Sequence, residues 1–293
     1  MLILPALFAQ RLDSMITDSV TGKKMMAYQV KDRLLLYPKP KQFGFLLKVP
    51  RTFRDVAVES FSKKSLPAWG VIAGTTALTI MFDQQMLDGV KQFSRFINVD
   101  NTAIYHPVMD FDVGSQRVLI YRAPGNLNTF LYQLGEGIPP LLIGAGLFTY
   151  GLIKNDYRAR STASQVAQVI ITMGIATQTI KRLTGRESPF VATTDGGRWR
   201  PFPSFRTYQN NVSRYDAFPS GHMATMMATL VVFADNYPEK RWIKPVGYIL
   251  MGLSGLAMMN TDVHWVSDYP LAIGLGYVFG KVTVKMNRWV KGK

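Results

Sequence analysis

The chain has 293 residues, with 34 lysines and arginines against 19 aspartates and glutamates, for a formal charge of +15. It has no cysteine, which excludes a disulfide framework, a thiolate metal site and a cysteine nucleophile. The positive excess points to an anionic partner such as a membrane surface or a phosphorylated substrate. Zinc-finger spacing and a basic heptad region are both absent, which argues against nucleic acid.

Residues 2–9 are an apolar run ending on a small residue, the pattern of a signal remnant. The run has no positive n-region and is too short to span a bilayer. Residues 1–66 read as an N-terminal arm interrupted by Pro38, Pro40 and Pro50. Within it, residues 45–61 have the makeup of an amphipathic helix lying on a membrane surface.

Six apolar segments follow, at residues 67–82, 138–153, 163–180, 222–233, 243–259 and 269–284. Each is shorter than the roughly 20 apolar residues of an ideal spanning helix, a deficit that anchoring aromatics and a thinned bilayer offset. Trp69, Trp242 and Trp289 lie at segment ends, where interfacial tryptophans belong. Gly276 and Gly280 form a small-xxx-small pair suited to close helix approach. This layout predicts an all-α fold, a six-helix transmembrane bundle over residues 67–293. A soluble bundle of the same helices is the competing reading. The apolar runs of the second and fifth segments favour the membrane.

Loop charges set an orientation. Lys154, Arg158 and Arg160, then Lys240, Arg241 and Lys244, then Lys281, Lys285, Arg288, Lys291 and Lys293 all fall on one side. That side reads as cytoplasmic. A cleaved signal would reverse the crossings, and the loop charges outweigh it. The outer loop at 181–221 is also basic, which breaks the rule and points to charges placed for a ligand.

Three histidines are present. His222 opens the fourth segment in Pro219-Ser220-Gly221-His222, His264 follows the fifth, and Lys181 closes the third, so all three meet on the outer face. Two histidines and a carboxylate without i,i+4 histidine pairing make a poor zinc set. The set suits phosphoryl transfer without a cofactor. A Pro-Ser-Gly turn into a helix leaves backbone N–H groups aimed at an anion. A lysine supplies point charge. One imidazole can attack phosphorus with a carboxylate behind it, and a second can protonate the leaving oxygen. His264 and Asp268 have the spacing of one helical turn.

Together these residues resemble the type 2 phosphatidic acid phosphatase superfamily, which includes bacterial acid phosphatases and vanadium haloperoxidases. Its motifs are Lys-x6-Arg-Pro, Pro-Ser-Gly-His and Ser-Arg-x5-His-x3-Asp. The resemblance covers residues 135–285 and leaves 1–66 unexplained. It implies a metal-independent hydrolase of lipid phosphates or pyrophosphates in the membrane, a bacterial inner-membrane protein with its site facing the periplasm. By that resemblance His264 is the nucleophile that becomes phosphohistidine, Asp268 orients it, and His222 protonates the leaving group. Lys181, Ser220 and the Gly221 amide hold the phosphate.

The departures are specific. Ser188 stands where the family has the first-motif arginine, and Ala257 and Met258 stand where it has Ser-Arg. Two charge-assisted clamps are missing, each worth about 1.5–3 kcal/mol. Arg186 and Arg214 are the candidate replacements, being closest in sequence to the motifs. Arg198, Arg200 and Arg206 lie in the same loop. A weakened relative that binds anionic lipid, and a vanadate-dependent haloperoxidase-like enzyme, are the rival readings. Asp83, at the outer end of the first segment, reads as a solvated carboxylate, and His106 as a loop histidine.

Overall fold

The computed structural model describes residues 11–17, 22, 24–41, 43–114 and 116–292. The run at residues 2–9 lies outside these. All six apolar segments are helical, but they are part of ten helices among the described residues rather than six. α1 is Gly44–Ser60, α2 Leu66–Ile80, α3 Asp83–Phe96, α4 Leu127–Gln133 and α5 Ile138–Ile153. α6 is Tyr157–Thr184, α7 Phe205–Asn210, α8 Gly221–Asn236, α9 Ile243–Asn260 and α10 Tyr269–Asn287.

The fold is mostly helical, but six strands among the described residues mean that it is not all-α. Strands β1 (Arg11–Thr17), β2 (Lys24–Val30), β3 (Arg33–Pro38) and β6 (Trp289–Gly292) form one antiparallel sheet in the order β1-β2-β3-β6. Strands β4 (Tyr105–Val113) and β5 (Gln116–Pro124) form a separate hairpin. The four-stranded sheet is hard to see in sequence because β2 and β3 are covered on both faces. Met26, Tyr28, Val30, Leu35 and Tyr37 pack with Tyr157 of α6, while Met25, Ala27 and Leu36 pack with Ile16 and Trp289. Two-sided burial removes the polar alternation that marks a half-exposed strand.

The sheet sits at the start of α6 and the end of α8. Tyr28 Oη donates to Asp156 Oδ1 at 2.7 Å, and Tyr37 Oη to Asn236 Oδ1 at 2.9 Å. Arg158 binds Glu239 at 2.7 and 2.8 Å. His222 lies at the other end of α8, whose 16 residues span about 24 Å.

The core is built on α6, α8 and α10. A Cβ on Gly276 would come 2.4 Å from the Ala224 carbonyl oxygen, and one on Gly280 2.7 Å from Val231 Cβ. Both glycines therefore let α10 press against α8, the role their spacing suggests. The amphipathic stretch forms α1, whose inner face docks on α6 and α10. Gln168 Nε2 donates to Thr52 Oγ1 at 2.7 Å, and Phe53 meets Phe279 edge-on at 5.3 Å.

Among the described residues, no single helix is long and apolar enough to cross a membrane. Two bent pairs meet the requirement by length and composition: Lys63–Ile80 with Asp83–Phe96, bent by 71°, and Leu127–Gln133 with Ile138–Ile153, bent by 64°. α6 is the longest helix, at 28 residues, but Gln165, Gln168 and Thr172 interrupt its apolar character and are buried within the bundle.

Candidate active site

Three helix ends converge. α6 stops at Gly185, which takes the left-handed conformation (φ 61°) and donates its N–H to the Lys181 carbonyl at 2.8 Å. A Cβ at Gly185 would lie 1.8 Å from the Arg200 carbonyl oxygen, so the loop after α6 folds back across this point only because the residue is glycine. Lys181, one turn earlier, is buried and lies 3.6 Å from Asp216. A Cβ built on Gly221 would be 4.0 Å from Lys181 Nζ, which puts the ammonium beside the start of α8.

Ser220 caps α8, its Oγ accepting from the Met223 N–H at 3.4 Å. The amides of Gly221 and His222 occupy the first turn, where no intrahelical acceptor exists. Ser220 N–H donates to the Asp268 carbonyl at 3.0 Å, tying the start of α8 to the start of α10. Met258 is fully buried with its sulfur 3.8 Å from Ser220 Oγ. A thioether therefore abuts the capping serine where the motif comparison expects a guanidinium.

His264 Nδ1 lies 3.3 Å from Asp268 Oδ2, which also accepts from the Trp265 N–H at 2.8 Å. The ring of His222 is 6.0 Å from that of His264, centroid to centroid, and 4.6 Å from Tyr132 of α4. Gly135 packs against His222, since a Cβ there would be 2.6 Å from His222 Cβ. His222 Nε2 is buried with no hydrogen-bond partner among the described residues. Burial pushes the Asp268 carboxyl up, but the Arg186 guanidinium, the His264 ring and the Trp265 amide together hold it below its ordinary value. Asp268 is therefore an anion behind His264.

The two candidate clamp arginines do not face this space together. Arg186 is fully buried and turned away from Lys181, with Nη1 donating to Asp268 Oδ1 and to Ser267 Oγ, both at 2.6 Å. Its Nη2 binds Asp83 and the Gly196 carbonyl, and Nε also reaches Gly196. Every N–H is used inside the protein, so none is left for a phosphate. Arg214 is exposed on the turn Val212–Arg214, and its side chain makes no hydrogen bond or ion pair with a described residue. Trp199 packs on Phe218 at 5.2 Å, while Phe202 and Phe205 are exposed.

Asp83 is not a solvated carboxylate. It is 1% exposed and accepts from the Ser267 N–H at 3.0 Å and from Ser267 Oγ. Its only sequence signal was a carboxylate directly after an apolar run. Ser267 gave none. His106 lies in β4 opposite Ala123, not in a loop.

Glu187 anchors the loop beyond Arg186. Its carboxylate accepts from the Thr193 and Arg198 amides at 2.9 and 3.0 Å and pairs with Arg200. Burial acts to raise its pKa, but the Arg200 guanidinium and these amides outweigh it and hold the group at about 2, against an ordinary 4.5. A depressed carboxylate contributes stability in full above its unfolded value, and that stability is lost as pH falls toward the folded value. The window is therefore pH 4.5 down to about 2. Thermal midpoints of wild type and Glu187→Gln should converge across that window, and a constant gap between them would count against the assignment.

Residues 162–291 match the family model of the PAP2 superfamily. Among solved structures, LpxE of Aquifex aeolicus is similar at 18% identity and a TM-score of 0.39, over 54% of this chain and 83% of that one. A transmembrane PAP2-type phosphatidylglycerolphosphate phosphatase from Bacillus subtilis is similar at 12% identity and a TM-score of 0.34, over 82% of this chain and 94% of that one. No curated protein matches the chain.

Proposed function

We propose that this chain, whose residues 162–291 match the PAP2 superfamily model, is a member of that superfamily and a metal-independent phosphatase of lipid phosphates or pyrophosphates that works through a phosphohistidine. The observation that carries the reading is the pairing of His264 with anionic Asp268, with the unpartnered Nε2 of His222 on the neighbouring ring. Asp268 accepts a hydrogen bond from the Nδ1–H of His264, which leaves the Nε2 lone pair free to attack phosphorus. As the N–P bond forms, the bond from phosphorus to the leaving oxygen breaks, and that oxygen takes a proton from His222. Water then attacks the phosphohistidine and gives a proton back to His222. The N–P bond breaks, inorganic phosphate leaves and both rings are regenerated. Lys181 and the first-turn amides of α8 offset charge on the non-bridging oxygens.

The setting is an integral membrane protein, in the reading that the outer helix faces support. α9 turns Val246, Ile249, Leu253 and Leu256 outward, and α5 exposes Leu141, Leu142, Leu152 and Ile153. An apolar surface of this kind is at home against acyl chains. Lys240 and Arg241, just beyond α8, and Lys285, in the last turn of α10, lie at the opposite end from His222, which supports a site on the outer, periplasmic side of a bacterial inner membrane. A second reading, an anionic-lipid binder with little turnover, is favoured by two observations: Arg186 is consumed internally, and Met258 stands where a clamp is expected.

Purified protein should release phosphate from at least one of phosphatidic acid, phosphatidylglycerol phosphate, a polyprenyl pyrophosphate and lipid A presented in vesicles. Binding to such vesicles with no phosphate released from any of them would replace the enzyme reading with the binder.

A further inference from the structure

Asp83 belongs to α3, well before the stretch that matches the family, yet it reaches the centre of the site. We infer that Asp83 is a positioning residue for His264, acting through Arg186 and Ser267; the inference rests on the phosphatase reading and deepens it.

The Arg186 guanidinium is shared between two carboxylates, Asp83 on Nη2 and Asp268 on Nη1. Trp199 and Trp265 cover it, with ring centroids 4.9 and 5.4 Å from Cζ. All three charged side chains are fully enclosed. A buried arginine facing a single carboxylate would draw that carboxylate wholly to itself. With Asp83 taking one edge of the fork, Arg186 engages only Oδ1 of Asp268, and Oδ2 stays available to His264 Nδ1 and the Trp265 amide. With Arg186 held in part by Asp83, the Oδ2 oxygen of Asp268 faces His264 without a guanidinium N–H on it. Its negative charge has the sign needed to offset the cationic ring formed when His264 Nε2 bonds to phosphorus.

Asp83 also fixes the backbone. Its carboxylate binds both the N–H and the hydroxyl of Ser267, the residue next to Asp268. The turn Val266–Asp268 is thereby pinned from a helix that is remote in sequence, and displacement of a catalytic group by about 1 Å can cost about 100-fold in rate.

The test uses the full chain and compares wild type, Asp83→Asn and Ser267→Ala, the last removing one arm only and serving if the first fails to fold. Asp83→Asn should lower kcat by about 10- to 100-fold with KM within about twofold, and Ser267→Ala should lower kcat by about 3- to 10-fold. Loss appearing in KM alone, or kcat within twofold of wild type in the folded variants, would overturn the inference. A second readout does not need turnover. With only three histidines, 15N-histidine labelling resolves the His264 ring, whose hydrogen-bonded Nδ1 proton should shift in both variants. If wild type releases no phosphate, the phosphatase reading fails by itself, and the positioning role stands or falls on that proton: displaced it stands, unmoved it is refuted.

Discussion

His264→Ala is expected to lower phosphate release by about four orders of magnitude, the scale seen when a covalent nucleophile is removed. In the proposed mechanism the substitution takes away the atom that bonds to phosphorus and leaves the residues proposed to hold the phosphate in place. Lys181, Ser220 and the first turn of α8 owe nothing to His264 for their placement, because Ser220 is held by the Asp268 carbonyl and its own capping bond. Substrate affinity should therefore persist while kcat collapses. Release from His264→Ala within tenfold of wild type, measured as inorganic phosphate from the best lipid substrate, would remove the phosphohistidine step.

Arg186→Met is expected to be the most damaging substitution to the fold. Methionine fills much of the same space, but it strands Asp83 and Asp268, two enclosed carboxylates that lose the guanidinium they share. Breaking a buried ion pair on one side costs about 3–5 kcal/mol. Here the stranded carboxylates keep some support, Asp83 from Ser267 and Asp268 from the Trp265 amide, which places the expected loss within that range rather than above it. Thermal or denaturant unfolding at neutral pH measures it, and a change below about 1 kcal/mol would mean that Arg186 is not a structural cation. Arg214→Met, at an exposed turn, serves as the paired control for surface charge.

The sequence made the helices readable, and with them most of the residues that gather at the candidate site, for identifiable physical reasons. Apolar runs mark helices wherever they are long enough, and all six proved helical. The bend between α2 and α3 was not legible, because Met81 and Phe82 at the break are ordinary apolar residues, while Gly135 and Gly137 between α4 and α5, with Pro139 at the start of α5, mark a break without giving its angle. Lys181, Ser220, His222, His264 and Asp268 stood out through local spacing, and local spacing is what helix ends turn into geometry. Asp83 did not, since its partners Arg186 and Ser267 are 103 and 184 residues away. Arg186 was visible as a charge near a motif, but proximity in sequence carries no information about which side of a loop a guanidinium takes. It lies behind His264, which it meets only through Asp268.

The four-stranded sheet has a consequence for the order in which the molecule is completed. β3 is written into the chain before any helix, but its partner β6 follows all ten. Until residues 289–292 are made, one side of β3 has open backbone donors and acceptors. Closing that ladder joins the two flanks of the helical body at the end remote from His222. The strand pair thus works as a clasp, fastened last, that keeps α1 and α10 in one frame.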